Sequence, residues 1–106
     1  MVRMADIQEL ADRIAREFRP QRIILFGSHA RGDVTADSDV DLMVVIPYPR
    51  KSWQMAAQIR ARVRPTFPLD LLVRSPEQLH DRLAMGDPFL KEVAARGKVL
   101  YEADHT

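Results

Sequence analysis

Two aspartates separated by one residue, Asp39 and Asp41, are the side chains best placed for chemistry in this sequence. They begin an apolar run that extends to Ile46, and such a run predicts a strand. Because side chains alternate along a strand, residues two apart share a face, so both carboxylates would point the same way. Two such charges repel unless a cation lies between them. Since Mg²⁺ is commonly held by one or two carboxylates together with substrate phosphates, this spacing favours a magnesium site.

Two other interpretations of this acidic segment compete with a magnesium site. One is a solvated loop or helix cap formed by Asp37, Asp39 and Asp41, and these residues alone leave it open. The other is a calcium-binding loop, because the same three aspartates match its first, third and fifth positions. The calcium loop is excluded because Leu42 stands at the required glycine position and Tyr48 at that of the final glutamate.

A third aspartate, Asp70, lies inside the apolar run of residues 67–73. A carboxylate there is costly unless it is paired or metal-bound, although a satisfied aspartate at a strand end is the structural alternative. If this strand neighbours the one that follows Asp39, three carboxylates meet and can hold two divalent ions, the arrangement used for displacement at phosphorus. One ion would hold a triphosphate, and the other would lower the pKa of an acceptor hydroxyl. Asp70 would then be placed to take the proton.

Upstream of the aspartates, a glycine-serine turn follows another apolar run in the segment Gly27-Ser28-His29-Ala30-Arg31-Gly32. Glycine lets the backbone approach a ligand closely, and the start of a following helix presents N–H groups to a phosphate. Arg31 would add a cation on the same turn. A glycine-serine turn alone is more often only a turn, so this signal depends on the aspartates. We expect His29 to be an exposed turn residue rather than a ligand.

The helices that must position these side chains are indicated by periodicity and capping signals. Apolar residues at steps of three and four predict a first helix over residues 7–18, which Pro20 ends. Further helices are predicted to begin at Ser52, Ser75 and Asp87, all of which are N-cap residue types. Gln78, three residues after Ser75, is expected to complete a capping box. The inward side chains of the last helix are expected to be Phe89, Val93 and Ala94.

The strands are predicted from short apolar runs at residues 22–26, 40–46 and 69–73, with an edge strand at 99–101. The order is helix, strand, short helix, strand, helix, strand, helix, helix, strand. It predicts an α/β (α+β) fold in which a small mixed sheet of three to four strands is flanked by helices. One domain over residues 1–106 is expected, since this length is typical of a single domain.

Composition narrows the class of protein further. The formal net charge of +1 is too small to indicate nucleic acid as a partner. There is no cysteine, so disulfides and thiol-ligated metals are excluded. The first ten residues are charged rather than apolar, and no run approaches the roughly 18 apolar residues of a membrane helix. We therefore expect a cytoplasmic protein with neither a signal peptide nor a membrane partner.

Together the two motifs resemble the nucleotidyltransferase superfamily that includes DNA polymerase beta, and most closely its minimal, MntA-like branch. The family pattern is G-S-x-A-R-G, a spacer, S-D-x-D-L, and a later strand that carries a third Asp; the sequence matches each of these positions. The resemblance implies that Asp39, Asp41 and Asp70 are catalytic and bind two Mg²⁺ ions. It also implies ATP as the usual donor, with its phosphates contacting Gly27, Ser28, Arg31 and Ser38.

Proteins of the minimal branch are commonly paired, as antitoxins, with a toxin that has a HEPN domain. The resemblance therefore implies transfer of AMP from ATP to a hydroxyl of that toxin, most simply a tyrosine. Two alternatives stay open: transfer to a small molecule, as in the aminoglycoside-modifying relatives, and an antitoxin that acts by contact alone. The small-molecule enzymes carry an additional acceptor-binding domain, which a chain of 106 residues is not expected to contain. The complete set of three aspartates disfavours contact alone.

Overall fold

The computed structural model describes residues 2–48 and 51–104, and its order of elements is the one predicted. In the first half of the chain, both predicted motifs lie in the segment from the end of the first strand to the start of the second. The second half alternates helix and strand until two consecutive helices precede the last strand. In chain order the elements are α1 Met4–Phe18, β1 Arg22–Phe26, α2 Ser28–Arg31, β2 Val40–Val45, α3 Ser52–Val63, β3 Leu69–Arg74, α4 Pro76–Ala84, α5 Pro88–Arg96 and β4 Lys98–Glu102.

The four strands form one mixed sheet in the order β3-β2-β1-β4. β1 pairs antiparallel with both β2 and β4, whereas β2 and β3 run parallel. The parallel pair is possible because α3 is a crossover connection, which returns the chain to the end of the sheet at which β2 begins. β4 is an edge strand as predicted, and the neighbouring β2 and β3 satisfy the condition set for Asp70.

Alternation along the strands divides the core into two layers. Val40, Leu42 and Val44 of β2 point to the face that α1 and α3 cover, where Ile7, Leu10 and Ile59 are fully buried. Met43 and Val45 point to the opposite face, where they pack with Ile24 of β1 and with Leu90 and Val93 of α5. Asp41 belongs to this second face by the same alternation, so its carboxylate lies at the end of the layer covered by α5.

Capping residues set the start of the two C-terminal helices. Ser75 accepts a hydrogen bond from the Gln78 amide, and the Gln78 side chain accepts one from the Ser75 amide, as the capping-box prediction requires. Asp87 caps α5 by accepting from the Phe89 and Leu90 amides. Ser52 was expected to be an N-cap, but Lys51 occupies that position and α3 begins at Ser52.

The inward face of α5 differs from the prediction. Leu90 and Val93 are buried, whereas Phe89 is 44% exposed and Ala94 is exposed. The reason is rotational: residues 90 and 93 lie one turn apart against the sheet, so residue 89 is turned toward the side of the helix. Within the part of the chain that the structure describes, no helix is both long and apolar enough to cross a membrane.

Candidate active site

Asp41 and Asp70 are direct neighbours across the parallel strands β2 and β3. Residues in register on adjacent strands project to the same face, so the two carboxylates share one end of the sheet. The pKa of Asp41 is raised by burial first, then by the negative charges of Asp70 and Asp39, while His29 and Arg31 oppose the increase. The site thus holds three carboxylates close enough to interact, and a local cation would relieve their repulsion.

The turn between β1 and α2 presses against Asp41. Gly27 adopts φ +74°, a conformation that side chains rarely allow, and it precedes α2 directly. A Cβ built on Gly27 would overlap Oδ2 of Asp41 and would lie 3.1 Å from its Cγ. Glycine is required here for two separate reasons, its backbone angle and the close approach of the carboxylate.

Ser28 and Arg31, on the first and last residues of α2, line a cavity together with Gly27 and Asp41. The cavity has a volume of about 330 Å³, within the range of small-molecule sites. Arg31 also forms an ion pair with Asp33, whose Oδ2 lies 3.2 Å from the arginine Nε. Four of the predicted site residues are therefore brought to one concave surface.

The opposite wall of this cavity is formed by α5, which the sequence reasoning did not connect with the site. Phe89, Glu92, Val93 and Arg96 line it. Their spacing of three, four and seven residues is that of one helix face, so the signal was present in the sequence. What the sequence could not show is that this face lies opposite the glycine-serine turn. Phe89 contacts Phe26 edge to face, with ring centroids 5.6 Å apart.

Ser38 and Asp39 lie outside this cavity. The Ser38 hydroxyl accepts a hydrogen bond from the Thr35 amide at 2.9 Å and lies 3.2 Å from the Thr35 hydroxyl. Ser38 lines a separate cavity, beside His29 and Phe67. Asp39 is exposed on the loop before β2, although its charge reaches Asp41. The structure thus assembles the glycine-serine turn with Asp41 and leaves Ser38 bound to its own loop.

His29 was expected to be exposed, and that expectation is wrong. The side chain is 8% exposed, and its Nε2 is buried without a hydrogen-bond partner among the described residues. The single turn of α2 aims residue 28 at the cavity that Asp41 lines, and residue 29 toward the loop of residues 34–36 and Phe67, at a separate cavity. Successive residues of a helix differ by about 100° in direction, which is the physical reason for this separation.

Residues 7–101 match the family model described as "Nucleotidyltransferase domain", which accounts for most of the 106 residues. This chain belongs to the nucleotidyltransferase domain family. The resemblance drawn from the two motifs is confirmed, and so is the enzyme class that it implied. Within this nucleotidyltransferase domain, the aspartate motif spans the end of the loop before β2 and the start of β2, and the glycine-serine motif comprises Gly27, α2 and Gly32.

Individual relatives agree with this family. A protein of Methanocaldococcus jannaschii, named as a proposed protein adenylyltransferase, is 44% identical over 41 residues. That match covers 37% of this nucleotidyltransferase domain and 41% of the relative, less than half of its length. A Sulfolobus solfataricus crystal structure described as a proposed nucleotidyltransferase superposes with TM-score 0.65 at 20% identity, covering 92% of this chain and 78% of the other.

A crystal structure described as a toxin–antitoxin with AMP-PNP superposes with TM-score 0.60 at 20% identity. The match covers 92% of this nucleotidyltransferase domain and 74% of that chain. At this identity the two solved structures establish the fold, a mixed sheet flanked by helices. The predicted fold class is confirmed.

Proposed function

We propose that this nucleotidyltransferase domain is a metal-dependent protein adenylyltransferase that transfers AMP from ATP to a tyrosine hydroxyl of a partner HEPN toxin. The observation that carries the proposal is the in-register pair Asp41 and Asp70, of which Asp41 lines one cavity with Gly27 and Ser28. Carboxylates next to a cavity of small-molecule size that an arginine also lines are the groups that nucleotidyl transfer needs. In this role the domain is an antitoxin that acts by modification.

The chemistry assigned to this chain's residues is positioning and proton transfer. The Ser28 hydroxyl and the Arg31 guanidinium hold the phosphates, and Gly27 lets them approach the turn. The acceptor oxygen forms a bond to the α-phosphorus while the bond from that phosphorus to the bridging oxygen of pyrophosphate breaks. The proton of the hydroxyl passes to the exposed carboxylate of Asp70. The products are an adenylylated side chain and pyrophosphate.

The donor set is suited to magnesium, with Asp41 and Asp70 as the proposed ligands and Asp39 as the third. Within residues 2–48 and 51–104, no three His, Cys, Asp or Glu side chains already stand close enough to hold a metal ion. Mg²⁺ does not require such a cage, since it is commonly held by one or two carboxylates with substrate phosphates. Burial, and then repulsion from Asp70 and Asp39, raises the pKa of Asp41, and a divalent cation would remove the repulsion. When bound, the metal would supply charge for the phosphates and would activate the acceptor hydroxyl.

A protein acceptor and an ATP donor are supported by the relatives. One structural neighbour is described as a toxin–antitoxin with AMP-PNP, an ATP analogue. The Methanocaldococcus jannaschii relative is named for protein adenylylation. The accessible position of Asp70, on the edge strand β3, leaves room for a side chain of another protein to reach it. These points favour a macromolecular acceptor over a small molecule.

Intact-mass spectrometry of a HEPN toxin tests the proposal directly. The toxin is incubated with ATP, Mg²⁺ and this protein, and in parallel with chelator in place of Mg²⁺. We expect mass increments of one or more AMP units with metal and none with chelator. A toxin that stays unmodified yet loses its toxicity would replace this proposal with an antitoxin that acts by contact. Modification of an aminoglycoside but not of the toxin would indicate a small-molecule enzyme.

A further inference from the structure

One face of α5 has side chains that the proposed phosphate and metal contacts leave unused. Phe89, Glu92 and Arg96 all line the cavity opposite Ser28 and Arg31. They follow each other at three and four residues, so they form one row along the helix. With a rise of about 1.5 Å per residue, the row spans roughly 10 Å. This length is comparable to that of an extended nucleotide, and one end of the row is aromatic while the other is cationic.

We propose that α5 completes the nucleotide site, with Arg96 binding the phosphate chain opposite Arg31 and Phe89 supporting the purine base. The inference rests on the proposed function, because it identifies further contacts for the same nucleotide. The two arginines line one cavity of about 330 Å³, Arg31 from α2 and Arg96 from α5. Guanidinium groups match phosphate oxygens in geometry and charge, so the space between them suits phosphate.

The base is assigned to Phe89 because this side chain lines both the cavity that contains Ser28 and Asp41 and a second cavity of about 320 Å³. A large apolar side chain that is 44% exposed at such a position offers a ring face for stacking, which every base can use. Phe26 supports the ring edge to face and limits its movement. Arg74 and Gln78 line the second cavity and extend the polar surface beyond the ring.

Glu92 lies between the two ends of the row and is consistent with this arrangement. A carboxylate repels phosphate but accepts hydrogen bonds from the hydroxyls of a ribose. Among the described residues, neither Glu92 nor Arg96 is engaged in an ion pair. Both side chains of α5 therefore keep their charge available to a ligand. The order along α5 is then phosphate at Arg96, ribose at Glu92 and base at Phe89.

Calorimetric titration with three probes separates these contacts. The probes are ATP with Mg²⁺, inorganic tripolyphosphate with Mg²⁺, and adenosine. We expect Arg96→Ala to lower the affinity for ATP and for tripolyphosphate by at least about tenfold and to leave the affinity for adenosine unchanged. We expect Phe89→Leu to lower the affinity for ATP by roughly fivefold or more and to leave the affinity for tripolyphosphate unchanged. Leucine is chosen because it keeps an apolar side chain against Phe26. Lys91→Ala is the matched control, because it removes a cation from α5 without lining the cavity.

The outcomes separate this inference from the proposed function. If the wild-type protein binds neither ATP nor tripolyphosphate, the proposed function fails. A different result would overturn the inference about α5 alone. In that result the wild type binds ATP and the double variant Ser28→Ala, Arg31→Ala binds it more weakly. Arg96→Ala and Phe89→Leu, however, bind ATP as tightly as the control Lys91→Ala does. Thermal unfolding of each variant shows whether it is folded. An Arg96→Lys variant that recovers most of the affinity for tripolyphosphate supports a direct contact with phosphate.

Discussion

The carboxylate of Asp41 occupies the space that a side chain on residue 27 would need, so Gly27 and Asp41 depend on each other. The glycine holds φ +74° at the end of β1, and the aspartate reaches across from β2 to touch its Cα face. The motif proposed to contact phosphate is therefore in contact with the motif that presents carboxylates. This contact joins the two motifs of the proposed site.

Replacing Gly27 by alanine should damage both stability and nucleotide binding. The positive φ alone costs alanine roughly 1 kcal/mol or more, and displacement of Asp41 adds to that cost. Gly32→Ala is the matched control, because Gly32 has φ +88° but no atom within 4 Å of the position that a Cβ would take. Urea unfolding should show a larger loss for Gly27→Ala than for Gly32→Ala. Equal losses in the free energy of unfolding would mean that the close approach of Asp41 adds nothing to the cost of a side chain at residue 27.

Asp41→Asn should stabilise the metal-free protein at neutral pH while it removes activity. The folded-state pKa of Asp41 is raised by burial and then by the charges of Asp70 and Asp39. Because the folded state holds the proton of Asp41 more tightly, this carboxyl group contributes its full stabilisation only below the unfolded pKa of about 3.9. That contribution is lost as pH rises through the folded pKa, and a neutral amide avoids the loss. Melting with chelator should therefore give Asp41→Asn an equal or higher midpoint at pH 7, and the advantage should vanish near pH 3.

Addition of ATP and Mg²⁺ should make the melting midpoint of the wild type higher than that of Asp41→Asn. A ligand that binds only the folded state raises the midpoint of the wild type, and the variant should gain much less. Transfer activity of Asp41→Asn should fall by about a hundredfold or more. Asp37→Asn is the control for the removal of one charge, because Asp37 is exposed on the loop that precedes β2. A large drop in the melting midpoint of metal-free Asp41→Asn would instead identify Asp41 as a structural residue.

Asp70→Asn should separate binding of the toxin from its modification. The substitution keeps the size of an exposed side chain on β3, so a docking surface is left intact. The variant should bind the toxin with the wild-type affinity but add no AMP, because no group accepts the proton of the hydroxyl. Analytical gel filtration and intact-mass spectrometry measure the two properties on one sample. Full modification by Asp70→Asn would exclude Asp70 as the proton acceptor.

Ser28→Ala combined with Arg31→Ala should reduce the affinity for ATP by at least about tenfold, since a hydroxyl and a charged contact are both lost. Ser38→Ala should have a smaller effect on affinity, because its hydroxyl already accepts from the Thr35 amide and lines a different cavity. Calorimetry with ATP and Mg²⁺ measures both variants. An equal loss in Ser38→Ala would return Ser38 to the phosphate site that the resemblance implies.

Much of the local structure could be read from short-range patterns. Strand β1 has the bounds that its apolar run predicted, and the capping box of Ser75 and Gln78 is present as expected. The same alternation that predicted β2 also places Asp41 on one face with Met43. These predictions succeed because backbone geometry over a few residues depends on the residues themselves and their immediate neighbours.

The sequence by itself determined the family and the order of elements, and it predicted the residues proposed for the site. Only the tertiary structure decided that Asp70 pairs with Asp41, that α5 forms a cavity wall, and that His29 is buried while Ser38 is bound within its loop. Each of these depends on which elements pack together, and that follows from burying both faces of the sheet at once. Periodicity indicates which side chains share a face of an element, but only the packing of the whole chain decides what that face meets.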